Sequence, residues 1–129
     1  MASSRFLFLN VGHSIDHLFM LMFPAVAALA AADLSASYGD VLKLTTGSFI
    51  AFGIFSLPMG WLADRLSREF MLSVFFIGIG FSMLLTGLAN EEWQIFCSLI
   101  LVGMFAAIYH PVGLAMVSQG GGDVGRRLG

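Results

Sequence analysis

Long apolar segments alternate with short polar clusters along the whole chain. Four segments are long enough to cross a bilayer, which takes about 20 mostly apolar residues in helical form. These segments are residues 6–32, 44–63, 70–89 and 93–117. The second and third contain no charged residue, whereas ionisable side chains interrupt the first and fourth. The pattern therefore predicts an all-α integral membrane protein with four transmembrane helices.

The composition supports this class and excludes several others. Of 129 residues, 58% are hydrophobic and only 11% are charged, against about a quarter in an ordinary globular domain. A disordered chain needs low hydrophobicity and high charge, so disorder is excluded. Six basic and eight acidic residues give a net charge of −2, so we expect no nucleic-acid partner. The single cysteine, Cys97, rules out an internal disulfide and a cysteine-rich zinc site.

We expect one membrane domain over residues 1–129, in which residues 118–129 form a polar, glycine-rich cytoplasmic loop or tail. The first span begins after Arg5 and contains Ala28 and Ala30, so it resembles a signal peptide. Its apolar region is too long for one, however, and it carries three ionisable residues. We therefore expect this segment to be retained as a helix.

Basic residues predict the orientation, because cytoplasmic loops carry an excess of lysine and arginine. Five arginines fall on one side of the membrane if the chain crosses it four times: Arg5, Arg65, Arg68, Arg126 and Arg127. Lys43 alone falls on the other side. Both termini are therefore predicted to be cytoplasmic.

The first candidate site is His13, Asp16 and His17, which lie within about a 100° arc of one helix. A charge near the bilayer centre costs roughly 2.5–3.5 kcal/mol on insertion scales, so Asp16 should face protein or water. One interpretation is a stripe that binds protons or substrate, and the other is a polar cluster that only holds helices together. The His13–His17 spacing could also hold a transition metal, but there is no HExxH order and no nearby cysteine. We expect neither a metal nor a cofactor.

The second candidate site is Tyr109 and His110, followed by Pro111, in span four. Proline removes a backbone donor and can open a kink there. At 1.5 Å per residue, His13 lies roughly 9 Å and His110 roughly 7 Å from the centres of their spans, both on the cytoplasmic side. The two histidines are therefore predicted to face one cavity. The alternative is a packing kink whose histidine is hydrogen-bonded to backbone.

The third candidate is the loop over residues 60–68 between spans two and three, with the sequence GWLADRLSR. An acid and two bases in a tight cytoplasmic turn can contact neighbouring helix ends. We interpret Gly60, Asp64, Arg65 and Arg68 as a conformational latch. The alternative is that the two arginines serve only to determine the membrane topology.

This loop resembles motif A of the major facilitator superfamily (MFS), G-x-L-a-D-r-x-G-r-r. Six positions match the motif: Gly60, Leu62, Ala63, Asp64, Arg65 and Arg68. Ser67 stands where the motif has its second glycine, and Glu69 where it has its last basic residue. Residues 103–113 (GMFAAIYHPVG) and the polar residues of span one are similar to a bacterial subgroup that includes fosmidomycin-resistance-like efflux proteins.

The resemblance implies a fold and a function beyond what the residues show. Members have twelve helices in two six-helix halves and move small solutes by alternating access, with spans one and four lining the cavity. This chain would correspond to the first four helices of the N-terminal half. It would take part in proton-coupled efflux of a small organic solute across the bacterial inner membrane, with the lipid bilayer, solute, protons and the missing transporter helices as partners. Motif A would steady the outward-facing state.

Four helices cover one third of such a transporter, so a second hypothesis stays open. The chain is then a natural short relative, a non-transporting subunit that packs against a larger membrane complex. An enzyme is not expected, because no nucleophile–base set, P-loop or dinucleotide fingerprint occurs.

Overall fold

The computed structural model describes residues 2–119, and this part of the chain consists of helices joined by short turns, with no strand. Six helices follow one another: α1 (Ala2–Asp33), α2 (Tyr38–Lys43), α3 (Thr46–Ala63), α4 (Arg68–Leu88), α5 (Glu92–Ala106) and α6 (Tyr109–Ser118). They make four segments that are long and apolar enough to span a membrane: Ser4–Asp33, Tyr38–Ala63, Arg68–Leu88 and Glu92–Ser118. The protein is therefore an all-α membrane protein with four spans.

Short polar turns begin α2, α4 and α5. The hydroxyls of Ser37 and Ser67 accept hydrogen bonds from the backbone N–H three residues later, which caps α2 and α4. Glu91 and Gln94 form a reciprocal capping box at the start of α5. At the end of α1, Ser35 adopts φ 52°, a left-handed conformation that reverses the chain toward α2.

Two of the four spans are divided, which the apolar pattern alone did not predict. The second is interrupted at Leu44–Thr45 and the fourth at Ala107–Ile108. The break at Ala107–Ile108 follows from Pro111, which has no N–H to donate to the carbonyl of Ala107. The helix of the first span, α1, begins at Ala2, before the expected residue 6, because helical hydrogen bonding continues past the apolar segment.

Close packing of α3 against α5 holds the centre of the bundle together. A Cβ on Gly103 would lie 1.9 Å from the carbonyl oxygen of Ser48, so the two backbones touch at a position that only glycine permits. On the other side of α5, the hydroxyl of Thr86 in α4 donates to that of Ser98 at 2.9 Å, and both groups are buried. α5 is thus fixed between α3 and α4.

The buried apolar side chains form two clusters, one toward each end of the bundle. The first contains Phe75 and Ile79 of α4 with Tyr109 and Val112 of α6. The second contains Phe23 and Ala27 of α1, Val41 of α2, and Ile95 and Leu99 of α5. Asp16 lies on α1 between Leu9 and Met20, which both belong to the first cluster.

Polar residues gather at the two ends of the bundle. One end surrounds a cavity of about 350 Å³ lined by Arg5, Asp64, Ser67, Arg68, Glu69 and Gln119, among others. The opposite end includes Asp33, Asn90, Glu91, Glu92 and Trp93. The spans therefore alternate in direction, and every described arginine lies at the first end. Arg126, Arg127 and most of the predicted tail lie outside the described residues; Ser118, assigned to that tail, is the last residue of α6.

Candidate functional site

Asp16 and the two histidines of α1 point in different directions, although they share one stretch of helix. The Asp16 side chain is 1% exposed, whereas His13 and His17 lie on the open side of α1. Their Nε2 atoms approach to 3.0 Å across one helical turn, as i,i+4 residues do. The stripe expected from the sequence is therefore split into a buried acid and an exposed histidine pair.

The break at Ala107–Ile108 begins α6 with Tyr109 and His110. Tyr109 is buried, and its hydroxyl donates a hydrogen bond to the backbone carbonyl of Leu9 in α1. Its ring fits between two glycines. A Cβ added to Gly12 would lie 2.8 Å from the ring, and one added to Gly113 would lie 3.1 Å from it. These small residues allow α6 to approach α1 closely.

His110 then meets the residues of α1. Its Nε2 lies 3.3 Å from Oδ2 of Asp16. Neither carboxylate oxygen of Asp16 accepts a hydrogen bond from any residue of the described chain. A buried carboxylate without hydrogen bonds is costly. The acid therefore has one close neighbour that can carry charge, the imidazole of His110.

The three histidines form one cluster, which we call the histidine cluster (His13, His17 and His110). One ring nitrogen from each lies within 4.8 Å of the others. The His110 ring stands edge-on to those of His13 and His17, with centroids 5.3 and 5.7 Å apart. The Tyr109 ring lies parallel to that of His13 at 5.7 Å. Nitrogens at such distances can exchange protons or share a ligand.

The cluster lies at one side of an open groove between α1 and α6. The groove has a volume of about 460 Å³, and polar groups from Asn10, His13 and His110 line it together with apolar residues near the arginine-rich end. A small solute of drug-like size requires a cavity of roughly 300 Å³ or more. The groove therefore gives the histidines an approach from outside the bundle.

Asp64 and Arg68 of motif A lie at the arginine-rich end of the bundle. Arg65 stacks over the ring of Trp61, 3.7 Å from its centroid, which is a cation–π contact. Within residues 2–119 no ion pair joins Asp64 to Arg65 or Arg68. Ser67, at the position of the missing glycine, caps α4 through the N–H of Phe70.

One contact links this loop to the site. A Cβ on Gly60 would lie 3.5 Å from the Pro111 side chain, so the first motif residue packs against α6 directly beside His110. The loop and the histidine cluster therefore contact the same short helix.

The structure brings together the five cavity residues selected from the sequence: His13, Asp16, His17, Tyr109 and His110. Other participants were missed. Leu9 contributes a backbone carbonyl, and Phe52 of α3 places its ring edge-on to His110 with centroids 5.5 Å apart. Gly12 did carry a signal, because a glycine next to a histidine in a spanning helix indicates close approach of a neighbour.

Comparison with known proteins identifies the family. The family profile described as Major Facilitator Superfamily matches residues 10–123. The chain belongs to the Major Facilitator Superfamily. Proteins of this superfamily are membrane transporters and not enzymes, and the four spans make this chain a multi-pass membrane protein.

Two curated MFS-type relatives are similar to parts of the chain. A "Na(+), Li(+), K(+)/H(+) antiporter" of Planococcus maritimus is 30% identical over 107 residues, which are 78% of this chain and 24% of that protein. A puromycin resistance protein of Streptomyces alboniger is 33% identical over 86 residues, 67% of this chain and 17% of that protein. The chain therefore spans a quarter or less of the length of these relatives. No solved structure matches it.

Proposed function

We propose that this chain acts as the first four helices of a bacterial secondary transporter, which exports a small organic solute in exchange for protons. In this proposal it lies in the cytoplasmic membrane with both termini cytoplasmic, and it belongs with the fosmidomycin-resistance-like efflux proteins. The family match supports transport. The relatives named as an antiporter and as a resistance protein support exchange and efflux.

The observation that carries the proposal is the Asp16 carboxylate. It is buried within a spanning helix, accepts no hydrogen bond from the described residues, and lies beside His110. Ionisable groups inside a membrane span are costly and mark ion or substrate pathways. Binding a proton removes the charge, so Asp16 is the proposed coupling residue. His13 and His17 are its proposed partners in proton exchange with the groove.

Tyr109 and His110 are the proposed wall of the solute cavity. The groove that they line opens beside the histidine cluster, so a solute there contacts the residues that exchange protons. Competition between solute and proton for one site is the simplest basis for exchange, because each then favours a different state of the protein.

The proposed latch is Gly60, Asp64, Arg65 and Arg68 at the arginine-rich end. Gly60 lies near the end of α3 beside Pro111, where an added Cβ would be in ordinary van der Waals contact at 3.5 Å. In this proposal a movement of the latch reaches α6 at this point. Asp64 is exposed at the end of α3, where it is free to contact another part of the transporter.

A second candidate function is that of a non-transporting subunit packed against a larger membrane complex. It is favoured by the uneven packing of the spans. In the apolar stretch of the first span 28% of the residues are buried within the bundle, compared with 56% in the fourth span. A helix that is largely uncovered can face lipid or another protein.

The test measures proton movement in everted membrane vesicles that contain the transporter with this chain. Addition of an exported solute should discharge a preformed proton gradient. Asp16→Asn should abolish solute-dependent proton release while solute exchange without a gradient survives. Asp33→Asn, which changes an exposed carboxylate on the same helix, is the matched control and should behave as the parent. Normal coupling by the Asp16 variant would make this carboxylate structural and favour the subunit.

A further inference from the structure

The histidine cluster contains all three histidines of the chain. They come from two helices that are about 100 residues apart in sequence, yet one nitrogen from each lies within 4.8 Å of the other two. Histidine is the commonest metal ligand in proteins, and three imidazoles with converging nitrogens form the ligand set of one class of zinc site.

We propose that His13, His17 and His110 form a binding site for one divalent transition-metal ion of the zinc class. This inference goes beyond the proposed function, because it needs neither a solute nor a proton gradient. It also revises the expectation from the sequence that no metal is bound, which rested on the absence of an HExxH order and of a nearby cysteine. The fold supplies a third histidine from α6.

The distances fit such an ion with little adjustment. With a metal–nitrogen distance of about 2.0–2.1 Å, two nitrogens of a tetrahedral site lie about 3.3 Å apart. The Nε2 atoms of His13 and His17 are 3.0 Å apart, and i,i+4 histidines on a helix are a common ligand pair. His110 has to move inward by about 1.5 Å to bring the widest separation of 4.8 Å to that of a tetrahedral site, and its half-exposed side chain leaves room to do so.

A second observation points independently to a cation at this place. Asp16 is 1% exposed and has no hydrogen bond for either oxygen within the described chain, and Oδ2 faces Nε2 of His110 at 3.3 Å. A buried carboxylate next to a metal-ligating histidine offsets the positive charge and orients the imidazole. A metal ion held by the three histidines would thus supply the positive charge that the Asp16 carboxylate lacks as a partner.

The ligand chemistry selects the class of ion. Imidazole nitrogen suits Zn²⁺, Co²⁺, Ni²⁺ and Cu²⁺, whereas alkali and alkaline-earth ions prefer oxygen ligands. The site should therefore bind Co²⁺ or Zn²⁺ and ignore Na⁺ and K⁺. The groove of about 460 Å³ that reaches His13 and His110 provides the route by which the ion enters.

The test uses the purified chain in detergent micelles, carrying an affinity tag without histidine. Titration with Co²⁺ alone should give one equivalent of bound metal with the intense visible absorption of tetrahedral cobalt, and Zn²⁺ should displace it. His13→Gln, His17→Gln and His110→Gln should each weaken Co²⁺ binding by at least about tenfold, and Asp16→Asn by about 10–100-fold. Cys97→Ala removes the only thiol and should leave binding unchanged.

A second measurement needs no variant, and it therefore tests the proposal even if the histidine variants fail to fold. Zn²⁺ should slow the reaction of the three histidines with diethyl pyrocarbonate, whereas K⁺ at the same ionic strength should not. The proposal is overturned if Co²⁺ shows no saturable binding, or if the folded histidine variants bind as tightly as the parent. Metal binding without coupled transport would contradict the proposed function alone. Coupled transport without metal binding would contradict the metal site alone.

Discussion

Tyr109 at the start of α6 donates its hydroxyl to the backbone carbonyl of Leu9 in α1, although the two residues are 100 positions apart. A helical carbonyl already accepts an N–H from four residues later, so the phenol is a second donor on the same oxygen. The Tyr109 ring also lies parallel to that of His13. One side chain thus sets both the spacing of the two helices and the position of a histidine at the site.

Removing this hydroxyl should loosen the contact between α1 and α6. We expect Tyr109→Phe to lower the free energy of unfolding by about 1 kcal/mol, the usual net value of a buried hydrogen bond, because the ring and its packing remain. Thermal unfolding in mild detergent measures the change. Tyr38→Phe, at an exposed tyrosine, is the control and should be neutral; an equal loss in both variants would argue against a specific role for the Leu9 contact.

The glycine contact between α3 and α5 predicts a larger effect. The Cβ added by Gly103→Ala would overlap the carbonyl oxygen of Ser48, so the helices have to separate. We expect a loss of about 1–3 kcal/mol or more, as for overpacked cores. Gly80→Ala adds the same atom where nothing lies within 4 Å, and it should be neutral or stabilising. Equal stability of the two variants in the same unfolding assay would contradict the close approach.

The topology predicts opposite accessibility for the two polar ends of the bundle. In a Cys97→Ala background, cysteines introduced by Leu66→Cys and Glu91→Cys should react with a membrane-impermeant maleimide from opposite sides. Leu66→Cys should react only in everted vesicles, because the arginine-rich end is expected to be cytoplasmic. Labelling of both positions from the same side would disprove four alternating spans.

The proposed latch makes a prediction about rate and not about folding. In the transporter that contains this chain, we expect Asp64→Asn to slow transport by about tenfold, equivalent to an increase of about 1.4 kcal/mol in the activation free energy. Expression and membrane insertion should stay normal, because Asp64 is exposed. Glu69→Gln, at an exposed acid five residues further along, is the comparison. Unchanged transport by Asp64→Asn would leave the loop with a topological role alone.

The number of spans was predictable because each depends on a local property, the length of an apolar segment. The meeting of His13 and His110 was also within reach, since their depths follow from the rise per residue. The position of Asp16 relative to the two histidines was not, because a 100° arc is wide enough to face both the core and the groove. The contact of Tyr109 with Leu9 depends on how two distant helices approach, and no local pattern contains that information.

The breaks within the spans show the same limit. Pro111 indicated a kink in the fourth span, but the turn at Ala107–Ile108 lies one helical turn earlier, where the proline leaves a carbonyl without its usual donor. Nothing comparable marks the turn at Leu44–Thr45. There the hydroxyl of Thr45 donates to the carbonyl of Leu42, a local bond that competes with helix geometry only in a favourable context.

The break at Ala107–Ile108 divides the fourth span into two rods with different attachments. α5 is clamped between α3 and α4 by Gly103 and by the Ser98 hydroxyl, whereas α6 is tied to α1 through Tyr109. With the Ala107 carbonyl released by Pro111, the junction resists bending less than an intact helix does. The junction is therefore the point at which α6 can change its angle to α5. The bond from Tyr109 to Leu9 would keep His110 beside its partners on α1 during such a change.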